Sequence, residues 1–190
     1  MPRNKACSNK RATYHVDCSC QHPSPLAFAW AEWLLLLSKI CAFFGHRDTP
    51  ITNSLVSMLE ATLVFLINQG VDVFWCCEQG DFDWMVRSVV LKLKKRFSHI
   101  KVCYVLAYPT FLRSEISSAY LEETYDEIIY PSIVAEGYPK FAISRRNQYI
   151  AEKADVIVCY IKRQSGGAFK AVKTAEKLNK KVINFANFHL

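Results

Sequence analysis

Residues 154–184 constrain the fold of this chain more than any other stretch. Val156, Ile157, Val158, Cys159, Tyr160 and Ile161 form a continuous apolar, β-rich run, the pattern of a parallel strand buried on both faces. Lys162, Arg163 and Gln164 are polar, and Ser165, Gly166 and Gly167 break the run. Ala168, Val172, Ala175 and Leu178 then recur at helical spacing with lysines between them. Asn179 and Lys180 close that helix, and Val182 and Ile183 open a further strand. A strand, glycine loop, helix and strand in this order make a right-handed crossover unit. Ligands of such units lie beyond the carboxyl ends of the strands. Gly166 and Gly167 let backbone amides come close to an anion, and the helix N-terminus adds its positive end. The same pair also serves as a plain strand-to-helix turn.

Upstream, the pattern repeats. Lys39, Ile40, Cys41, Ala42, Phe43 and Phe44 read as the first strand of a domain. Gly45, His46, Arg47, Asp48, Thr49 and Pro50 follow as a loop, with Asp48 or Thr49 able to cap the next helix. Leu55, Leu59, Leu63, Leu66 and Ile67 give that helix one apolar face, and Gln69 and Gly70 end it. The run 71–76 is a second strand, and residues 78–83 are a second strand-to-helix loop. Met85, Val89, Val90 and Leu93 carry a helix to Phe97. The run 100–106 is a third strand. Residues 110–139, broken by Pro131, Gly137 and Pro139, read as a loop with one or two helical turns over the sheet edge. Residues 143–153 form a helix that runs into the strand at Val156. Strands are therefore expected near 40–44, 72–76, 101–106, 156–161 and 182–185. They imply an α/β fold, a Rossmann-like mainly parallel sheet with helices on both faces, in three layers.

A chain of 190 residues accommodates one such domain. The expected division is an N-terminal extension over 1–38 and the domain over 39–190. Residues 1–25 are polar and basic without a period. The apolar run 26–37 is too short to span a bilayer and contains Glu32, so an added amphipathic helix is expected and no membrane partner. His15, Cys18, Cys20 and His22, with Cys7 upstream, have the wrong spacing for a structural zinc site, so no metal is expected. Cys41, Cys76, Cys77, Cys103 and Cys159 fall in or at the ends of apolar runs. They read as buried free thiols of a cytoplasmic protein. The formal charge of +7 is spread, +3 over residues 1–39 and +4 over the rest. It suits anionic ligands rather than one dense nucleic-acid stripe.

Three loops gather at the carboxyl ends of the strands. Arg47, Arg145 and Arg146 offer planar donors to phosphate or carboxylate, and neighbours on a helix diverge, so one of Arg145 and Arg146 faces water. Glu78, Asp81 and Asp83 can accept ribose hydroxyls, and His46 titrates near neutral pH. Asp48 and Asp83 also have a simpler use as helix caps.

The motifs CAFFGHRD, EQGDFD, FAISRRNQYIAEKADVIVCYI and SGGAFKA, in that order, resemble the SLOG superfamily. This group joins the Lonely Guy phosphoribohydrolases to the Smf/DprA DNA-processing proteins. The nearest resemblance is to small bacterial proteins with a Gly-His-Arg first loop, over residues 39–185. It implies a Rossmann-like fold and a nucleotide-type ligand, with no cofactor. The implied ligand contacts are Gly45, His46, Arg47, Gly80, Asp81, Asp83, Arg146, Asn147, Ser165, Gly166, Gly167 and Ala168. Lonely Guy enzymes carry Gly-Gly-x-Gly-Thr-x-x-Glu. Here Ala168, Phe169, Lys170 and Lys173 stand in that frame, without the third glycine, the threonine or the glutamate. Their arginine is matched by Arg146, and Asn147 replaces the lysine that follows it. The leading expectation is nucleotide binding for sensing or regulation. The alternative is N-glycosidic hydrolysis, with Arg146, Glu78 or Asp83 as candidate catalytic residues. Single-stranded DNA binding is third. A homo-oligomer is compatible with the sequence.

Overall fold

The computed structural model of the chain describes residues 14–15, 38–109 and 118–188. Among these residues seven strands form one sheet in the order β1-β5-β4-β3-β2-β6-β7, and every pairing is parallel. They are β1 (Tyr14–His15), β2 (Lys39–Gly45), β3 (Val71–Cys76), β4 (Lys101–Val105), β5 (Glu127–Ile129), β6 (Val156–Tyr160) and β7 (Lys181–Asn184). From β2 the chain winds outward through β3, β4 and β5. It then returns past β2 to add β6 and β7. This is the Rossmann-like α/β fold read from the sequence, with the winding direction reversing between β2 and β6.

The helices are α1 (Asn53–Asn68), α2 (Asp81–Arg96), α3 (Ser118–Thr124), α4 (Ser132–Ala135), α5 (Ala142–Lys153) and α6 (Gly166–Lys177). Side chains alternate along β2, so Cys41 and Phe43 face one layer and Ala42 and Phe44 the other. The first layer is closed by α1 and α2. Leu55, Leu59, Leu63, Leu66 and Ile67 of α1 are all buried there, as their spacing required. The second layer is closed by Ile150 and Ala151 of α5 and by Ala171, Val172 and Ala175 of α6. Leu178, read as part of that stripe, lies beyond the helix and is exposed.

Aspartates fix the amino ends of several strands. Asp155 Oδ2 accepts the Ile40 N–H at 2.8 Å, Asp72 Oδ1 the Lys39 N–H at 2.9 Å and Asp126 Oδ2 the Val102 N–H at 2.8 Å. Such bonds satisfy backbone donors that the ladder leaves open. At the opposite end Asn184 spans β7 and β6, accepting from Ile161 N at 3.0 Å and donating to Ile161 O at 3.1 Å.

Three local expectations are corrected. The cap of α1 is Thr52, whose Oγ1 accepts from Leu55 N at 3.2 Å. Thr49 is bonded to the His46 carbonyl instead and Asp48 to Arg163. Residues 118–139 hold more order than a loop: α3 leads into β5, which joins the sheet beside β4. β5 has three residues between Asp126 and Pro131, too few to show a period. Tyr14–His15 pair with Ile128 and Ile129 inside a segment read as unstructured. The apolar run 26–37 and the thiols at 7, 18 and 20 lie outside the described residues, as do residues 110–117.

Cys41, Cys76, Cys77, Cys103 and Cys159 are free and buried. Burial raises every one of these thiols, Cys77 to about 11 and Cys103 and Cys159 to about 12, which keeps them protonated and inert. Among the described residues no helix is long and apolar enough to cross a membrane, and no cluster of His, Cys, Asp and Glu could hold a metal.

Gly45 closes β2 against the ring of buried Phe82, where an added Cβ would lie 2.3 Å from ring carbon Cγ. Gly45→Ala is therefore expected to cost about 1–3 kcal/mol by overpacking. Thermal unfolding should show a lowered midpoint, partly recovered by adding Phe82→Leu. An unchanged midpoint in the single variant would show that the ring gives way freely.

Candidate functional site

A cleft of about 220 Å³ opens at the carboxyl end of the sheet, where β2 lies between β3 and β6. Its floor is the end of β2, Phe43, Phe44 and Gly45, with Cys77 beside it. One wall comes from the β3–α2 loop and α2, through Gln79, Gly80, Phe82 and Asp83. The other comes from α5 and the start of α6, through Ile143, Arg146, Asn147, Gly167 and Ala168. His46 and Arg47 line it from the first loop. Reversal of winding at β2 makes this gap, because the crossovers on either side leave in opposite directions.

The first two loops are pressed together. Asp81 N donates to Arg47 O at 3.0 Å, and Arg47 Nε donates to Gln79 O at 3.3 Å. Gly80 sits so close that an added Cβ would lie 2.6 Å from Arg47 Cα. The first loop is also tied to the β6–α6 loop. Arg163 N donates to His46 Nε2 at 3.2 Å, and the Arg163 guanidinium grips Asp48 with bonds of 3.0 and 2.5 Å. His46 is held below the usual histidine range, first by burial and then by Arg163. Its Nε2 is an acceptor, so the ring is the neutral tautomer protonated on Nδ1.

Arg146 is the buried member of the Arg145–Arg146 pair. The residue is 3% exposed, and Nε and Nη2 donate to Asn147 Oδ1 at 3.3 and 2.9 Å. Nη1 has no hydrogen-bond partner. Among the described residues no carboxylate forms an ion pair with Arg146. Arg145 turns outward, donating to Tyr138 O and resting over the Phe141 ring.

The three acids of the second loop separate. Glu78 takes a left-handed backbone angle of 45°, which carries its side chain under the loop. There Oε1 accepts from Tyr125 at 2.5 Å and Tyr120 at 3.3 Å, with Arg87 Nε at 3.0 Å. Asp81 is exposed and stands outside the cleft. Asp83 alone enters it. Oδ2 accepts the Gln79 N–H at 2.8 Å. Burial pushes the carboxyl up to about 6, with Glu78 adding to the rise, while the Gln79 N–H and Arg146 oppose it.

Of the residues singled out from the sequence, the cleft unites Gly45, His46, Arg47, Gly80, Asp83, Arg146, Asn147, Gly167 and Ala168. Glu78, Asp81, Ser165 and Gly166 lie outside it. Gly166 has φ +90° and faces open space, so its role there is the turn. Cys77, Gln79 and Ile143 were not anticipated as lining. Cys77 showed one signal, its place at the very end of an apolar run. Lys173, in the position of the Lonely Guy glutamate, is on the outer face of α6, bonded to Glu176 at 2.7 Å.

No family model and no curated protein matches the chain. Solved structures do. The chain is similar to DNA processing protein A from Streptococcus pneumoniae, with TM-score 0.58 and 16% identity over 78% of this chain and 50% of that one. It is also similar to DNA processing protein A from Helicobacter pylori, with TM-score 0.54 and 17% identity over 79% of this chain and 66% of that one. The Helicobacter structure is described by its single-stranded DNA binding mode. These neighbours stand on the Smf/DprA side of the resemblance. At such identities the likeness is one of fold, and this chain spans about half to two thirds of their length.

A carboxyl whose native value lies above its ordinary one destabilises the folded state when ionised. The native state then holds a proton that the unfolded chain has lost, so stability falls as pH rises from about 4 to about 6. Asp83→Asn should therefore raise the thermal midpoint at pH 8, by roughly 2–4 °C, and by less at pH 4.5. An equal shift at both pH values would mean that Asp83 ionises normally.

Proposed function

We propose that the cleft binds a nucleotide or nucleotide-derived anion, and that binding serves sensing or regulation. The observation that carries this reading is the Arg146 guanidinium, buried beside the cleft with Nη1 unpaired and, among the described residues, no carboxylate in an ion pair with it. A buried cation with no ion-pair partner and an unpaired donor is costly, and an anionic ligand supplies both the contact and the missing acceptor. The second support is the opposite end of the same wall. Gly167 and Ala168 open α6, so their N–H groups have no partner within the helix and carry its positive pole. Gly167 keeps that approach open, since the nearest atom to an added Cβ there is Asn147 Nδ2 at 3.5 Å. The domain that does this is the unit over residues 39–190, of the Gly-His-Arg branch that its first loop resembles.

Regulation is favoured over turnover because an exposed lysine stands where the Lonely Guy glutamate would act. Release of free base from nucleoside monophosphates would reverse that preference and give Asp83 the acid–base role.

A second reading, single-stranded DNA binding, has its own support in the Helicobacter neighbour. Exposed Arg47, Lys162 and Arg163 lie along the first and third loops, where a phosphate backbone could pass. The two readings differ in salt response. A strand neutralised by several cations gives an affinity that falls steeply with salt, whereas one anion in a cleft gives a shallow slope.

Calorimetric titration with adenosine monophosphate is the test. Arg146→Ala removes a charge-assisted bond, typically about 1.5–3 kcal/mol, or roughly ten- to a hundredfold in affinity. Gly167→Val should also weaken binding, by placing a side chain over the amides. Unchanged affinity in both, with intact circular dichroism, would place the ligand elsewhere and leave the glycine pair as a turn.

A further inference from the structure

Arg146 is not the only group in the cleft with bonding left open. Asp83 spends Oδ2 on the Gln79 N–H, and Oδ1 has no hydrogen-bond partner among the described residues. Among the described residues it is also the only acidic side chain in the lining, set among His46, Arg47, Arg146 and Asn147. We propose that Asp83 makes the cleft selective for ribonucleotides over deoxyribonucleotides, its free Oδ1 accepting the ribose hydroxyl that a deoxyribose lacks. The inference rests on the nucleotide reading above and narrows it to one sugar.

A carboxylate facing a phosphate would be repelled, so an anionic ligand must turn its neutral, donating part toward Asp83. Of the parts of a nucleotide, the ribose diol donates from close to the phosphate. The spacing suits this arrangement. Asp83 stands on the β3 side of β2, and Gly167 stands on the β6 side. Strands flanking a shared neighbour lie roughly 10 Å apart. The Asp83 side chain and the α6 amides thus reach toward one cleft from opposite sides of β2. No other acid competes for the diol: the Glu78 carboxylate faces Tyr125, Tyr120 and Arg87, and Asp81 lies outside. The carboxyl is half-buried and pushed up to about 6, so at pH 8 it is an ionised acceptor at the cleft wall. Sites of that kind reject an analogue lacking the donor, because the acceptor is left unpaired.

The experiment is a calorimetric titration at pH 8 of the full chain with adenosine monophosphate and with deoxyadenosine monophosphate. The wild type should bind the ribonucleotide at least about tenfold more tightly. Asp83→Ala should bring the two affinities together, mainly by weakening the ribonucleotide. Asp81→Ala, a change of the same charge outside the cleft, should leave the ratio unchanged. Asp83→Asn, which keeps the shape and an acceptor for Gln79, repeats the comparison and should shrink the ratio even if the alanine variant folds poorly. Equal affinities in the wild type, or a ratio that survives both changes at 83, would overturn the selectivity while leaving nucleotide binding intact. Binding of neither nucleotide would overturn the nucleotide reading and this one together.

Discussion

β2 is the element on which the others depend. Cys41 and Ala42 at its centre are fully buried, and the strand is paired in parallel on both sides, to β3 and to β6. A strand covered on both faces and both edges must be apolar throughout. It must also end abruptly, because its last residue meets the loops of both neighbours. Gly45 provides that end by lying against the Phe82 ring without a side chain of its own. The cleft follows directly. β3 and its helix leave one side of β2, β6 and its helix leave the other, and the space between them faces the carboxyl end of β2.

The walls of this space are unlike one another in charge, and backbone contacts hold them that way. On the α5–α6 side are the Arg146 guanidinium and the opening amides of α6. On the α2 side are Gly80 and Asp83, fixed to the first loop by the Asp81 to Arg47 bond and the close seat of Gly80 on Arg47. Arg163 ties the first loop to the third through His46 and Asp48. The Asp48 pair is solvent-exposed, so it contributes little to stability on its own. Its effect is positional, since it sets where the first loop stands between the two walls.

Much of the fold was legible in the sequence for a simple reason. The runs at 40–44, 73–76 and 156–161 are apolar because those strands are covered on both faces, and α1 repeats leucine at the period of its buried stripe. β5 was not legible, being three residues long and recognisable only by Asp126 pinning Val102 across from it. The site was legible as a meeting of loops but not in its detail. Which of Arg145 and Arg146 turns inward depends on the rotation of α5 against the sheet. Which acid enters depends on one backbone angle, at Glu78.

That angle accounts for the division of labour among the acids. An acid directly after a strand would ordinarily point at the sheet edge, where dinucleotide-binding folds place a ribose acceptor. Here the left-handed turn at Glu78 sends its carboxylate underneath, to two tyrosines and to Arg87, whose guanidinium lies between the Trp84 and Tyr120 rings at 5.4 and 5.2 Å. A non-glycine residue holds such a conformation only when its surroundings over-determine it. Three partners on one carboxylate oxygen do so. The consequence reaches the cleft: with Glu78 committed to α3 and α2, the chain rises again through Gln79 and Gly80, and the first turn of α2 brings Asp83 to the sheet edge instead. The acid in the cleft is thus carried by a helix rather than by a strand end. Its position is set by the Gln79 N–H that it accepts and by the Phe82 ring beside it, packed against Gly45 at the end of the central strand.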